Sequence, residues 1–194
     1  MAEMRGEDRR AIPRAVSALS SILQRVADLS DLAVHRPPPL HHRAAAFHGL
    51  RRPNISVHGY LERIFRHADC SPACYAVAYV YLDRFTRRHP PVLIDSFNVH
   101  RLLITTILAA VKFMDDIHYG NAYFAKVGGI SLMEMNCLEM DFLFGVGFEL
   151  NVTPMIFHSC CYLLWRETYQ WELPPAPLRF QYCCSTEEES SSCQ

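Results

Sequence analysis

The chain has 194 residues, half of them apolar, and a net charge of −1 from 19 basic and 20 acidic residues. That is enough for one solid core with tails. The near-neutral balance argues against a nucleic-acid footprint, which needs a clearly basic face. Eight cysteines are present, but the first residues, MAEMRGEDRR, carry no apolar run. The cysteines are therefore expected to be reduced thiols in a soluble protein, not a disulfide framework.

Residues 1–12 carry no periodic pattern and are expected to be disordered. From 13 to 33, Val16, Leu19, Ile22, Leu23, Val26, Leu29 and Leu32 recur at helical spacing, which predicts an amphipathic helix. Pro37-Pro38-Pro39 forbids its continuation, and His41-His42-Arg43 and Gly49 to Pro53 extend the break. Val57, Tyr60, Leu61, Ile64 and Phe65 mark the face of a second helix. Ser71-Pro72, a cap followed by proline in the first turn, opens a third that runs to about Arg88. His89-Pro90-Pro91 ends it.

The stretch from Ser96 to Asp116 is apolar over most of a helical wheel, with Asp95 or Ser96 as its expected cap. A helix of that kind lies at the centre of a bundle. One polar stripe remains, Asn98, Arg101, Thr105, Lys112 and Asp116, and it is expected to be the helix's exposed line. Asn121 to Val127 make a short helix stopped by Gly128-Gly129. Ser131 and Glu134 form a capping box for a helix to about Phe144, broken by Gly145 and Gly147. Thr153-Pro154 starts a last helix, and Pro174-Pro175 lies beyond its end. No segment alternates convincingly as a strand. The serine-, glutamate- and cysteine-rich tail from Gln181 is expected to be disordered.

Two charges do not fit this pattern. Lys112 suits a helix C-terminus, where Asp115 or Asp116 could pair with it, yet it also belongs to the polar stripe. Glu139 points about 150° away from Glu134 and Asp141, among Leu132, Met135, Phe142 and Leu143. An unpaired buried carboxylate costs several kcal/mol, roughly, so it needs a cation or donor. Either it pairs internally, with Lys112 or Arg101, or it stands at the rim of an apolar surface and a partner completes it. A lysine and a glutamate framed by Phe113 and Leu143 have the composition of a protein-binding patch.

Catalytic constellations are weak. Cys160-Cys161 sits mid-helix without a recognisable catalytic context, His67, Cys70 and Cys74 lack a fourth zinc ligand, and GxGxxG and GxxxxGK[ST] are absent. No cofactor and no metal is expected.

Tyr81-Leu82-Asp83-Arg84-Phe85, Lys112-Phe113-Met114-Asp115-Asp116, and Leu138 to Leu143 with Phe148-Glu149-Leu150 together resemble the cyclin box. SFNVHRLLIT, AKVGGIS and FLFGVGFELNVT resemble the plant U-type (P-type) cyclins, which are related to the yeast phosphate-pathway cyclins. The resemblance implies an all-α fold: a single five-helix cyclin box at 55–150, an extra N-terminal helix at 13–34, a linker at 35–54, a C-terminal helix at 151–173 and a tail at 174–194. It implies a regulatory subunit, not an enzyme, that binds and activates a cyclin-dependent serine/threonine kinase, A-type in this family, in cell-division control. Nucleus, cytoplasm or both are the expected locations, with no nucleic acid or membrane as partner. The family's lysine and glutamate fall on Lys112 and Glu139, and its flanking apolar contacts on Phe113, Leu143 and Leu150. Arg101 and Asp115 complete the expected kinase-binding set. No second box fits after Leu150, and the substrate-docking motif of mitotic relatives is replaced by Pro53-Asn54-Ile55-Ser56-Val57. A kinase-independent adaptor is the competing reading.

Overall fold

The computed structural model describes residues 13–32, 45–90, 92–116 and 119–169. The expectations for 1–12, for the Pro37–Pro39 and His41–Arg43 segment, and for the tail beyond 169 lie outside the described residues. Seven helices are found there: α1 (Arg14–Leu32), α2 (Val57–Ala68), α3 (Pro72–Arg88), α4 (Val99–Met114), α5 (Asn121–Gly128), α6 (Leu132–Gly145) and α7 (Pro154–Tyr169). No strand occurs among the described residues.

Local chemistry sets most of the boundaries. Ser56 Oγ accepts the Gly59 N–H at 3.1 Å and starts α2. Ser131 Oγ accepts the Glu134 N–H at 3.0 Å and starts α6. Only half of the expected capping box forms, because the Glu134 carboxylate turns to Arg101 instead. Gly129, at φ 71°, closes α5 in the left-handed conformation that glycine adopts without strain. The central helix begins later than the sequence suggests. Asp95 Oδ1 accepts the N–H groups of Phe97 and Asn98 at 2.8 and 3.1 Å, which folds Ser96–Asn98 into a turn before α4.

α4 is the core of the bundle. Its residues from Leu102 to Val111 are all buried, and it packs against α2, α3, α5 and α6. The polar stripe is therefore not an exposed line. Asn98 is buried and Thr105 is fully so. The Thr105 hydroxyl donates back to the Arg101 carbonyl at 2.8 Å, and Thr106 to that of Leu103 at 3.1 Å, so neither needs water. Arg101 is partly exposed, and only Lys112 and Asp116, at the C-terminal end of the stripe, are exposed.

α1 lies across α2, α3 and α7, and its apolar face joins the same core. One residue of the expected linker joins the core: Phe47 is completely buried and meets Phe85 edge-on, ring centroids 5.1 Å apart. Phe85 stacks on Phe142 of α6 at 5.8 Å. Beside this contact the chain has Gly145, where a Cβ would lie 2.5 Å from the Phe85 ring. The end of α6 therefore rests directly on a ring of α3.

Cys70, Cys74 and Cys160 are buried, while Cys137 is exposed. Burial pushes the Cys70 thiol up to about 11 and Cys74 to about 12, well away from thiolate chemistry.

Candidate interaction site

The two residues that violated the helical pattern meet. Lys112 Nζ, in the last turn of α4, donates to Glu139 Oε1 of α6 at 2.6 Å. The lysine side chain is 32% exposed and the glutamate 14%, so the pair sits at a rim with the cation outermost. Of the two internal partners open to Glu139, Lys112 is the one used. Asp115 and Asp116 do not take that place. Of the two alternatives open to Glu139, internal pairing is the one the chain adopts: the two charges complete each other.

Glu139 is held from a second side. Asn121, the first residue of α5, donates through Nδ2 to Glu139 Oε2 at 2.7 Å and to Asn136 Oδ1 at 2.8 Å. Both carboxylate oxygens are thus occupied, one by a cation from α4 and one by an amide from α5. Nothing in the sequence marks Asn121 for this task, since an asparagine at a helix start reads as a cap. The separation of 18 residues hides the contact.

The remaining candidates divide. Phe113, beside Lys112, is half exposed, as are Met114 on α4 and Met140 and Phe144 on α6. Leu143, one turn after Glu139, is partly buried and packs on the core. Leu150 is likewise partly buried, and its carbonyl accepts the Tyr81 hydroxyl at 2.7 Å. Arg84 donates to the carbonyls of Glu149 and Asn151 at 2.8 and 2.7 Å, so α3 fixes the whole turn that carries Leu150.

Arg101 and Asp115 stand apart from the pair. Arg101 is roughly 16 Å along α4 from Lys112, and its Nε donates to Glu134 Oε1 at 2.7 Å. Asp115 turns inward to the start of α3, where Oδ2 accepts the Ser71 N–H at 3.2 Å and the Cys74 thiol at 3.4 Å. It does what the Ser71 side chain does not, for that hydroxyl contacts Cys74 Sγ at 3.3 Å and caps no backbone group.

The surface is therefore an ion pair embedded among exposed aromatic and methionine side chains. It has no convergent nucleophile and base. No cluster of three or more metal-ligating side chains occurs among the described residues. No helix among them is long and apolar enough to cross a membrane.

The comparisons with known proteins bear on the family and the fold. A cyclin family profile matches residues 13–150, which includes α1 as well as the five helices α2 to α6. The chain belongs to the cyclin family. The cyclin is 58% identical to Cyclin-P4-1 of Oryza sativa subsp. japonica over 191 residues, 97% of this chain and 90% of the relative. It is 57% identical to Cyclin-U4-1 of Arabidopsis thaliana over 159 residues, 82% of this chain and 77% of the relative. Against Cyclin-U1-1 of Arabidopsis thaliana the identity is 40%, over 81% of this chain and 75% of the relative. The likeness to plant U-type and P-type cyclins, and the all-α cyclin fold, thus hold. This cyclin is a regulatory protein, not an enzyme.

Proposed function

We propose that this cyclin binds and activates a cyclin-dependent serine/threonine kinase, of the A-type, in cell-division control, and that it does so in the nucleus, the cytoplasm or both. The observation that carries the reading is the Lys112–Glu139 pair at the bundle rim, framed by the half-exposed Phe113. A pair that is stabilised within the free chain and still presents its cation needs little rearrangement to meet a partner. Lys112 has three N–H donors and spends one on Glu139, which leaves two for backbone carbonyls of a kinase helix. Phe113, half exposed beside Lys112, supplies the apolar burial.

The cyclin contributes no chemistry of its own. It acts by binding the active arrangement of the kinase more tightly than the inactive one, which holds the kinase's regulatory helix and its Lys–Glu pair in place. Arg101 and Asp115 are engaged inside the fold and are the weakest members of the expected set.

The test is affinity purification of the tagged cyclin followed by a kinase assay on the eluate. The unsubstituted chain is expected to recover kinase activity, and Lys112→Glu to recover at most a tenth of it while keeping its helical circular dichroism. Equal recovery by the folded variant would remove the pair from the interface. Recovery of another protein with no kinase activity would favour the adaptor reading.

A further inference from the structure

We propose that Asn121 is a positioning residue for the interaction surface, setting the Glu139 carboxylate so that Lys112 is held ready for the partner. The inference rests on the kinase-binding reading and adds a residue from a helix to which that reading assigns no part. Three observations carry it. First, Asn121 Nδ2 makes two short hydrogen bonds, to Glu139 Oε2 and Asn136 Oδ1, and both acceptors lie on α6, one turn apart. Second, the amide has one orientation that works. Turned over, its oxygen would face the Glu139 carboxylate, which would lose a donor. Third, that orientation has a cost: Asn121 Oδ1 is buried without a hydrogen-bond partner among the described residues. A buried orphan acceptor is disfavoured, so the arrangement persists because the contacts on the nitrogen outweigh it.

The consequence follows from the geometry of Glu139. With Oε2 fixed by Asn121, Oε1 has one direction left, and Lys112 Nζ lies in it at 2.6 Å. Without the amide, Glu139 gains side-chain freedom and the lysine is less often in its presented position. The partner must then restore that order on binding, which lowers affinity without removing any contact that it makes itself. Asn121 also ties α5 to α6, so the pair is braced by three helices and not two.

The experiment compares full-length chain with Asn121→Ala, Asn136→Ala and the double variant, measuring the dissociation constant for the purified kinase and thermal unfolding for each. Asn121→Ala is expected to weaken binding about three- to tenfold. Asn136→Ala, which removes only the second anchor of the amide, should weaken it less, and the double variant should match Asn121→Ala because both act through one amide. Unchanged affinity in a folded Asn121→Ala chain overturns the proposal. If Asn121→Ala does not fold, the exposed Asn136→Ala decides, and there too an unchanged constant overturns it. A second readout needs no kinase: the side-chain amide resonances of Asn121 should shift when Glu139 becomes Gln. No shift overturns the assignment. A shift with no kinase bound by the unsubstituted chain keeps the assignment of Asn121 and rejects the functional reading instead.

Discussion

Asp115 Oδ2 accepts the backbone N–H of Ser71 at 3.2 Å, and so the residue three after Lys112 caps the first turn of a different helix. A carboxylate there meets both an orphan donor and the positive end of the α3 dipole. Its place in the family-like Lys112–Asp116 motif suggests a partner contact, whereas its geometry makes it part of the scaffold. Replacing Asp115 by Ala should lower stability by about 1–2 kcal/mol, read by urea unfolding. Kinase affinity measured well below the unfolding transition should stay within about twofold, since roughly 0.4 kcal/mol is the scale of an indirect effect. A large loss of affinity at undiminished stability would put Asp115 back in the interface.

The Lys112–Glu139 pair allows a swap that separates scaffold from surface. Lys112→Glu alone sets two carboxylates against each other, and Glu139→Lys alone two ammonium groups. Each single variant should lose roughly 1–3 kcal/mol of stability, because a half-buried charge is left with a like neighbour. The double reversal restores an internal pair and should recover most of that loss. It should not recover kinase binding, because the presented charge now has the wrong sign. Recovery of both would mean that the pair serves the fold alone.

His100 gives a pH dependence whose sign can be worked out. Burial holds its imidazole below the ordinary histidine range, and Nε2 lies 2.9 Å from the Ile55 carbonyl. A depressed folded-state value means that the unfolded chain takes up the proton more readily. The contribution of His100 is therefore fully present above the unfolded value, about 6.5, and is lost as pH falls through the folded value. Asp83, whose carboxyl burial raises, works in the opposite sense at lower pH, where its protonation favours the folded chain. Chemical unfolding at pH 7.5 and at successively lower pH should show a decline that begins near about 6.5 and is reduced in His100→Gln. An unchanged slope in that variant would exclude His100 as its source.

Much of the architecture can be read locally. The Ser56 and Ser131 caps, the Gly129 stop and the Thr153-Pro154 start each depend on a few neighbouring residues. Lys112 and Glu139 also stand out locally, because each breaks the apolar pattern of its helix. What escapes is everything that needs a distant partner. Thr105 looks like surface, yet it buries its hydroxyl against its own helix. Phe47 sits in a stretch rich in chain breakers and looks like linker, but its ring fills the core against Phe85. Arg101 could equally serve Glu139 or Glu134, and only the crossing of α4 and α6 gives it Glu134. Asn121 has no pattern to violate.

Gly145 ends α6 where a methyl group would strike the Phe85 ring at 2.5 Å. Glu139 lies six residues earlier, about 9 Å along the axis. A wedge at Gly145 that tilted α6 by about ten degrees would carry Glu139 sideways by about 1.5 Å, enough to stretch and misalign a hydrogen bond that now spans 2.6 Å. The smallest side chain in the helix thus works as a lever arm's fulcrum: the reach of a charge at the rim is calibrated by a close contact at the far end.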